Sequence, residues 1–322
     1  MIDLSALNEP ALIYHYINVL PRHATNCLMH MSSHVSIYDL MTNRGKKRRK
    51  IYAPSRQLSW VQNQIRGQLL LKVPVEECVH GFVRERGTVT NALTHAHRRC
   101  RWVMNLDLCN FFPSITFPRV YGLYRAVFGF NDRVAAHLAR LTTFDNHLCQ
   151  GFCTSPDLAN FIAWHLDKRL MALAKSLDIV YTRYADDLTF SASTDDVKAP
   201  RVKRLVSRIV ADEGFEVNEN KVAIMGIGRR QVVTGLVVSD YGVNLPRRTR
   251  RLLKAAVHHW RQQTHSRRHS IIGWISYLHA VDPHLAQRLL KAIDDAEADQ
   301  GRTWVHDVSQ GPFSLDISGG RQ

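Results

Sequence analysis

The stretch YTRYADDLTF, residues 181–190, sets two adjacent aspartates, Asp186 and Asp187, inside a run of aromatic and β-branched residues. Neighbouring carboxylates repel each other, and aspartate is a poor strand former. The pattern therefore predicts a hairpin, with two apolar strands flanking a tight turn at residues 185–187. An Asp-Asp pair in a turn is common, because aspartate tolerates turn conformations and bonds its own backbone. The pair indicates chemistry only if other parts of the chain support it.

A second apolar segment, VMNLDLCNFFP at residues 103–113, carries Asp107 near the end of a predicted strand that Pro113 stops. If the two strand regions share a sheet, Asp107 can lie at the same edge as Asp186 and Asp187. Such a cluster suits Mg²⁺, which takes oxygen ligands, and a pair of these ions about 4 Å apart can clamp a phosphoryl displacement. The three carboxylates are therefore candidate ligands for two Mg²⁺ ions.

The charge of the chain indicates a polyanionic partner. Its 322 residues include 43 Lys and Arg against 28 Asp and Glu, a formal net charge of +15. This excess favours nucleic acid over the alternative of a basic protein with a merely solvated surface. No apolar run approaches a membrane span and no secretory signal opens the sequence, so we expect a cytoplasmic protein without a membrane partner. The six scattered cysteines predict reduced thiols rather than disulfides or zinc ligands.

The remaining pattern mixes helices and strands. Residues 43–54, NRGKKRRKIYAP, predict a basic β-hairpin ending at Pro54 and backed by a helix over 58–71. Further helices are predicted over 118–141, 160–177 and about 203–212, and the region from 246 onward is predominantly helical. Short strands are predicted at FEVN (215–218) and QVVTGLVVS (231–239), where Gly235 suggests a close backbone approach.

Several motifs in order resemble those of reverse transcriptases. YADD resembles their catalytic box, NLDLCNFFPSI their other metal-binding strand, and QGFCTSPDLAN (150–160) the motif between the two. NALTH (91–95) and VTG (233–235) resemble elements characteristic of bacterial retron reverse transcriptases. The resemblance covers roughly residues 45–280. One departure is Phe152-Cys153, where the family usually has Pro or Ala before the retained Ser155-Pro156.

The resemblance implies an α+β right-hand polymerase, with fingers, a palm built on an antiparallel sheet and a helical thumb. The corresponding division is residues 1–105 for the N-terminal segment and fingers, 106–240 for the palm with a fingers insertion, and 241–322 for the thumb. It also implies an RNA-directed DNA polymerase that copies part of a structured noncoding RNA into RNA-linked single-stranded DNA, called msDNA, primed from a 2′-hydroxyl. The implied partners are that RNA, its msDNA, deoxynucleotides and a separate effector protein acting in anti-phage defence.

Roles carry over by resemblance to matching positions. Asp107, Asp186 and Asp187 are catalytic and hold the two Mg²⁺ ions, with Leu108 lending a backbone carbonyl. Phe112 is the steric gate that rejects a ribose 2′-hydroxyl, although Phe111 and Phe112 could both be core residues. The other nucleotide contacts implied are Lys47, Arg49, Gln150, Gly151 and Lys221. Arg48 and Lys50 alternate with Lys47 and Arg49 and are expected to point elsewhere.

The RNA-recognition elements implied are Asn91, His95, Val233, Thr234 and Gly235. For His95, an ordinary structural histidine is an equally good interpretation. Two alternatives to the retron enzyme stay open at this point. One is another bacterial reverse transcriptase, of the group II intron or diversity-generating type. The other is a polymerase fold that binds RNA and DNA as a non-catalytic scaffold, against which the three intact aspartates count.

Overall fold

The computed structural model describes residues 10–42, 47–96 and 99–298, and the chain divides into two compact units. The first combines residues up to 85 with 104–190 and 195–224. The second combines 86–103, 191–194 and the chain from 225. The division into fingers, palm and thumb is a functional one that these units do not test, so it stays a prediction. Among the described residues, none of the helices has the length and apolar character needed to cross a membrane.

The first unit begins with two helices, α1 (Pro10–Tyr16) and α2 (Pro21–Met29), followed by an antiparallel hairpin of β1 (Val35–Thr42) and β2 (Lys47–Pro54). Helix α3 (Arg56–Gln68) follows at once, because the Ser55 hydroxyl accepts a hydrogen bond from the backbone N–H of Leu58 at 3.2 Å and caps the helix. Its apolar face buries Leu58, Val61 and Ile65. The predicted basic hairpin backed by a helix, with its strand ending at Pro54, is confirmed.

A four-stranded sheet contains the segments that carry Asp107, Asp186 and Asp187. Its strands are β3 (Trp102–Asp107), β4 (Val180–Tyr184), β5 (Asp187–Ala192) and β6 (Ala223–Gly226), in the order β4-β5-β3-β6. Strands β3 and β5 are buried along almost their whole length. Strands β4 and β5 form the hairpin predicted from YTRYADDLTF. The FEVN segment, in contrast, forms only an isolated bridge between Val217 and Leu108, so the predicted strand there is wrong.

The helices around this sheet are α5 (Phe111–Ser114), α6 (Phe117–Gly122), α7 (Asp132–Thr142), α8 (Ser155–Ile162), α9 (Trp164–Ser176) and α10 (Ala199–Asp212). Two predicted single helices are each divided. The 118–141 helix breaks after a π-helical turn at Leu123–Val127, where Gly129 adopts a φ of 75° and Asn131 caps α7. The 160–177 helix starts earlier, at Ser155 with Pro156 in its first turn, and breaks at Ala163.

The second unit contains α4 (Thr88–Thr94), a three-stranded antiparallel sheet and three C-terminal helices. The sheet strands are β7 (Val232–Val233), β8 (Leu236–Ser239) and β9 (Gly242–Asn244), and the helices are α11 (Arg247–His258), α12 (His265–His279) and α13 (Pro283–Ala298). These elements share one apolar core. Trp260 is fully buried in it, and its indole N–H donates to the Glu297 carboxylate at 2.5 Å.

The predicted strand at 231–239 is two strands, and this corrects the expectation for Gly235. Val233 pairs with Leu236 across a two-residue turn in which Thr234 and Gly235 have φ angles of 44° and 82°. Two consecutive left-handed residues are the geometry of a tight hairpin turn, which glycine adopts without strain. Space around Gly235 is open, so the glycine serves the turn and not a close backbone approach.

Candidate active site

The backbone brings the three signature aspartates to one edge of the four-stranded sheet. Asp107 ends β3, Asp187 begins β5, and these two strands are neighbours. The link is direct, since the backbone N–H of Leu108 donates to the carbonyl of Asp186 at 2.9 Å. Ala185 makes the turn between β4 and β5 with a φ of 56°. The prediction that Asp107 lies beside the hairpin turn is therefore confirmed.

The segment after α10 supplies two partners of Asp107. The Asn218 amide donates to Oδ2 of Asp107 at 3.2 Å, and its backbone N–H donates to the Asp107 carbonyl at 2.7 Å. Lys221 forms an ion pair with Oδ1 of the same carboxylate. Lys221 is thus placed in the carboxylate cluster itself, where a cation offsets part of the negative charge.

The electrostatics of the pair in the turn differ from those of exposed aspartates. Burial raises the pKa of Asp187 to about 6, and the Asp186 and Asp107 carboxylates add to the effect while Lys221 opposes it. Burial also raises the pKa of Asp186. The Asp107 charge raises this pKa further, whereas the charges of Lys221 and Arg49 lower it. The protein therefore holds negative charge here that its own groups do not fully neutralise.

The donor chemistry of this cluster fits Mg²⁺. All three side chains offer carboxylate oxygens, the ligands that this hard cation prefers. The raised pKa values of Asp186 and Asp187 mean that their charged forms are unfavourable here, which a bound cation would relieve. In the described part of the chain, no three Asp, Glu, His or Cys side chains converge closely enough to form a complete metal-binding group. The ion pair of Lys221 with Asp107 occupies one of the carboxylate oxygens that a cation would use.

A cavity of about 1080 Å³ opens over the cluster. It is bounded by most of the residues that the family resemblance assigns to the nucleotide, namely Arg49, Phe112, Gln150, Gly151 and Lys221. Of the residues assigned to the metal ions, Asp107, Leu108 and Asp186 also line it, whereas Asp187 is not among its lining residues. The space is large enough for a ligand of nucleotide size. The structure thus brings together, around one cavity, positions that are more than 170 residues apart in the sequence.

Gly151 is required by a close backbone approach to β2. Its φ is 118°, and a Cβ atom here would lie 2.3 Å from the carbonyl oxygen of Tyr52. The neighbouring Gln150 carbonyl accepts a hydrogen bond from the Tyr52 N–H at 2.8 Å. The Gln-Gly pair therefore lies directly against the basic hairpin, which explains physically why a glycine stands in this motif.

The two phenylalanines after Asp107 have different surroundings. Phe111 is buried and Phe112 is half-buried, and both are among the residues that line the cavity. The ring of Phe112 contacts the ring of Phe82, with 6.0 Å between their centroids. Phe82 was not anticipated from the sequence. Its left-handed φ of 64°, directly after Gly81, directs the chain so that it too lines the cavity.

The basic strand contributes more of its side chains than alternation predicted. Arg49 lines the cavity as expected, but Lys50 lines it as well, so the expectation that Lys50 points elsewhere is wrong. A cavity at the edge of a twisted two-stranded ribbon can be bounded by both faces of the strand. The backbone of Lys47 in β2 pairs with that of Thr42 in β1. The side chains of Lys47 and Arg48 lie outside the described part of the structure.

A buried polar network behind the catalytic turn was missed at the sequence level. Arg183 is fully buried and donates to both carboxylate oxygens of Asp167, at 2.8 and 2.6 Å. The same guanidinium donates to the Asn160 side chain at 3.0 Å and to the Ala185 carbonyl at 3.2 Å. The network therefore holds the residue before the two aspartates. An arginine within the apolar strand YTRY was the signal that could have indicated it.

Gly81 extends this network to the turn. The Asn160 amide donates to the Gly81 carbonyl at 3.1 Å, and a Cβ atom on Gly81 would lie 2.3 Å from the backbone nitrogen of Ala185. The segment just before Gly81 runs beside β4 and forms two backbone hydrogen bonds with it. The Arg183 carbonyl accepts from the His80 N–H, and the Arg183 N–H donates to the Cys78 carbonyl. The catalytic turn is thus packed directly against the backbone of residues 78–81.

The residues assigned to RNA recognition lie in the second unit, where Asn91, His95 and Val233 are buried, Thr234 is half-buried and Gly235 is exposed. Asn91 and His95 are on α4 and at its end, with 0% and 1% exposure. The His95 ring and the Ser191 hydroxyl share a hydrogen bond of 2.7 Å. Thr234, in the hairpin turn, donates its hydroxyl proton to the Thr88 carbonyl at 2.8 Å, and Val233 is fully buried. Their role in recognising RNA stays a prediction.

Comparison with known proteins agrees with this geometry. Residues 41–265 match the family model described as reverse transcriptase (RNA-dependent DNA polymerase). The retron Ec86 reverse transcriptase of Escherichia coli is 33% identical over 257 residues, which cover 80% of this chain and 79% of the relative. This chain belongs to the bacterial retron reverse transcriptases.

Other relatives place this retron reverse transcriptase in the same group. The retron Mx65 reverse transcriptase of Myxococcus xanthus is 39% identical over 264 residues, covering 76% of this chain and 60% of the relative. The fold also matches the structure of telomerase from Candida albicans in complex with a telomeric RNA fragment, with a TM-score of 0.52 and 10% identity over 83% of this chain and 55% of that one. The chain is an RNA-directed DNA polymerase with the α+β right-hand fold.

Proposed function

We propose that this reverse transcriptase copies part of a structured noncoding RNA into single-stranded DNA that stays joined to the RNA, forming msDNA. The observation that carries the proposal is the convergence of Asp107, Asp186 and Asp187 on one sheet edge beneath a nucleotide-sized cavity, in a chain of the retron family. The strong positive charge of the chain supports a polyanionic substrate.

The three aspartates would hold two Mg²⁺ ions, with the Leu108 carbonyl as a further oxygen ligand. When bound, such ions lower the pKa of the attacking hydroxyl and stabilise the leaving pyrophosphate. Asp186 and Asp187 are suited to this role because burial and neighbouring carboxylates raise their pKa values, so that a cation relieves an unfavourable charge. The Asp107 oxygen that pairs with Lys221 in this structure would then serve as a ligand of the ions.

The chain's own residues would position the nucleotide around these ions. Arg49 faces the triphosphate, together with Lys47 on the same strand face. Gln150 and Gly151 border the base and sugar, and the Phe112 ring leaves no room for a 2′-hydroxyl. Lys221 Nζ, released from Asp107, is a candidate donor of a proton to the leaving pyrophosphate.

Priming in this proposal starts from a 2′-hydroxyl of a guanosine in the RNA, which leaves the DNA on a branch. The noncoding RNA and its msDNA would remain bound to the protein, and a separate effector protein would act with them in anti-phage defence within the cytoplasm. These partners follow from the retron family to which the chain belongs.

Sequencing of the nucleic acid that copurifies with the protein tests this proposal. We expect one defined RNA joined covalently to a short DNA through a 2′ branch that resists RNase. The variant D186A/D187A should carry the RNA without the DNA. The matched control, D195A/D196A, alters a second adjacent pair of aspartates on an exposed loop and should carry both. A mixed pool of cellular RNA without linked DNA would contradict the proposal.

A further inference from the structure

A second groove, of about 730 Å³, lies within the second unit and shares none of its lining residues with the active-site cavity. Four arginines line it: Arg99, Arg101, Arg229 and Arg230. We call it the arginine groove. The catalytic mechanism uses none of these residues, and the sequence motifs did not single them out.

The arginines come from two loops that hydrogen bonds join. Arg99 and Arg101 flank Cys100, while Arg229 and Arg230 directly precede Gln231. The Gln231 amide donates to the Cys100 carbonyl at 2.8 Å, which ties the two arginine pairs to one another. The Cys100 thiol in turn donates to the His95 carbonyl at 3.3 Å. The groove is therefore built on the buried end of α4 and does not arise from independent surface side chains.

The groove has more cations than acids among its lining residues. Asp240 is the acidic side chain among them, and its Oδ2 lies 3.7 Å from Nε of Arg99, with both side chains exposed. An exposed ion pair of this kind contributes little to stability. The excess of cations around one groove favours a polyanion as its ligand.

Apolar groups stand beside these cations. Tyr241, at the turn between β8 and β9, is 98% exposed, and Ile227 is 69% exposed. Both line the groove. An exposed aromatic ring next to several arginines is the combination on which single-stranded nucleic acids bind, with phosphates on the cations and a base stacked on the ring. A duplex, whose bases are already stacked, or a free phosphate would not stack on the ring.

We propose that the arginine groove binds a single-stranded segment of nucleic acid, with phosphodiester groups on the four arginines and one base on Tyr241. This rests on the proposed function, since the enzyme's own RNA or msDNA is then the natural occupant. It also gives the buried His95 a physical role, that of supporting the groove rather than touching the nucleic acid.

Binding of fluorescent mixed-sequence oligonucleotides, one of single-stranded RNA and one of DNA, tests the proposal by anisotropy. Saturating unlabelled primer–template duplex fills the polymerase cleft during the measurement. The variant R229Q/R230Q is compared with R201Q/R204Q, which removes two equally exposed arginines from α10 in the first unit. We expect the groove variant to bind at least one oligonucleotide roughly tenfold more weakly than the control variant does. The slope of log K against log salt concentration should also become shallower by about 1.4, because two phosphate contacts are lost.

Tyr241 supplies a second measurement. Ultraviolet cross-linking of the bound oligonucleotide, followed by peptide mass spectrometry, should mark Tyr241, and Y241A should weaken binding roughly fivefold through the lost stack. Equal affinities of the groove and control variants for both oligonucleotides, or cross-links confined to other sites, would overturn the proposal. All variants should extend a preformed primer–template at the wild-type rate. If the wild-type protein cannot extend it, the result contradicts the polymerase assignment and not the arginine groove.

Discussion

Asp187 is a residue whose charge the folded protein opposes. Its carboxyl is largely shielded from water and lies near two other carboxylates, and its pKa is raised to about 6. The charged form is therefore less favourable in the folded protein than in the unfolded chain, and the resulting loss of stability is present above pH 6 and absent below about pH 4. The proposed cation site therefore lowers the stability of the fold when no cation is bound.

We predict that D187N is more stable than the wild type at pH 8 without divalent cations. The gain should be about 1 to 2 kcal/mol, because one pKa unit corresponds to about 1.4 kcal/mol and partial exposure reduces the full value. It should vanish as the pH falls to about 3, below the usual aspartate pKa of about 3.9, where the wild-type carboxyl is protonated in both states. Urea unfolding at several pH values measures it, with D196N on an exposed loop as the control. A gain that did not depend on pH would contradict this electrostatic account.

Phe112 is the proposed steric gate for sugar selection. We predict that F112A incorporates ribonucleotides relative to deoxynucleotides at least tenfold more readily than the wild type, because the ring no longer excludes the 2′-hydroxyl. Competitive single-nucleotide extension measures the ratio. F111L is the matched control, since Phe111 is buried and its substitution should lower stability without changing the ratio. If F112A incorporates ribonucleotides and deoxynucleotides in the same ratio as the wild type, Phe112 is not the steric gate.

At the scale of elements, the hairpin of β4 and β5 depends on the packing behind it. The predicted strand–turn–strand arrangement of YTRYADDLTF could be derived from the local pattern, because aspartates between apolar strands favour a turn. The support of that turn could not, since Asp167, Asn160 and Gly81 come from separate parts of the chain. The same limit explains the error at Gly235, where an apolar run concealed a two-residue turn between β7 and β8.

The buried pair of Arg183 and Asp167 gives a prediction at this scale. R183M should cost about 3 to 5 kcal/mol of stability, because it leaves the buried Asp167 carboxylate without its guanidinium partner, while the Tyr181 hydroxyl still donates to that carboxylate at 2.8 Å. Denaturant unfolding measures it. R169M, which breaks an exposed ion pair of α9 with Asp212 and Glu213, should cost at most about 1 kcal/mol. Similar costs for the two variants would contradict the role given to the buried network.

Two glycines allow a matched test of the contact with the turn. G81A should abolish or severely reduce polymerisation, because its Cβ would lie 2.3 Å from the Ala185 nitrogen and displace the aspartates. G67A, in α3 with open space around it, should instead stabilise the protein by up to about 1 kcal/mol. Primer extension and thermal unfolding of both variants distinguish the two. An active G81A would show that the turn does not need this packing.

For the whole molecule, the order of motifs and the net charge of +15 carried most of what the sequence could predict. They indicated the α+β polymerase fold, the reverse transcriptase activity and the convergence of Asp107 with the pair in the turn. They did not indicate the arginine groove, because its residues are spread over two loops and only the folded second unit unites them. Charge counted along a chain does not show which cations share a surface.

Extension of a DNA primer on an RNA template by the purified protein tests the central claim most directly. With deoxynucleotides and Mg²⁺, the wild type and D195A/D196A should extend the primer at equal rates. D186A/D187A should show no extension above background, although it still binds the primer–template. Extension by D186A/D187A at the rate of the control would contradict the claim that Asp186 and Asp187 form the catalytic centre.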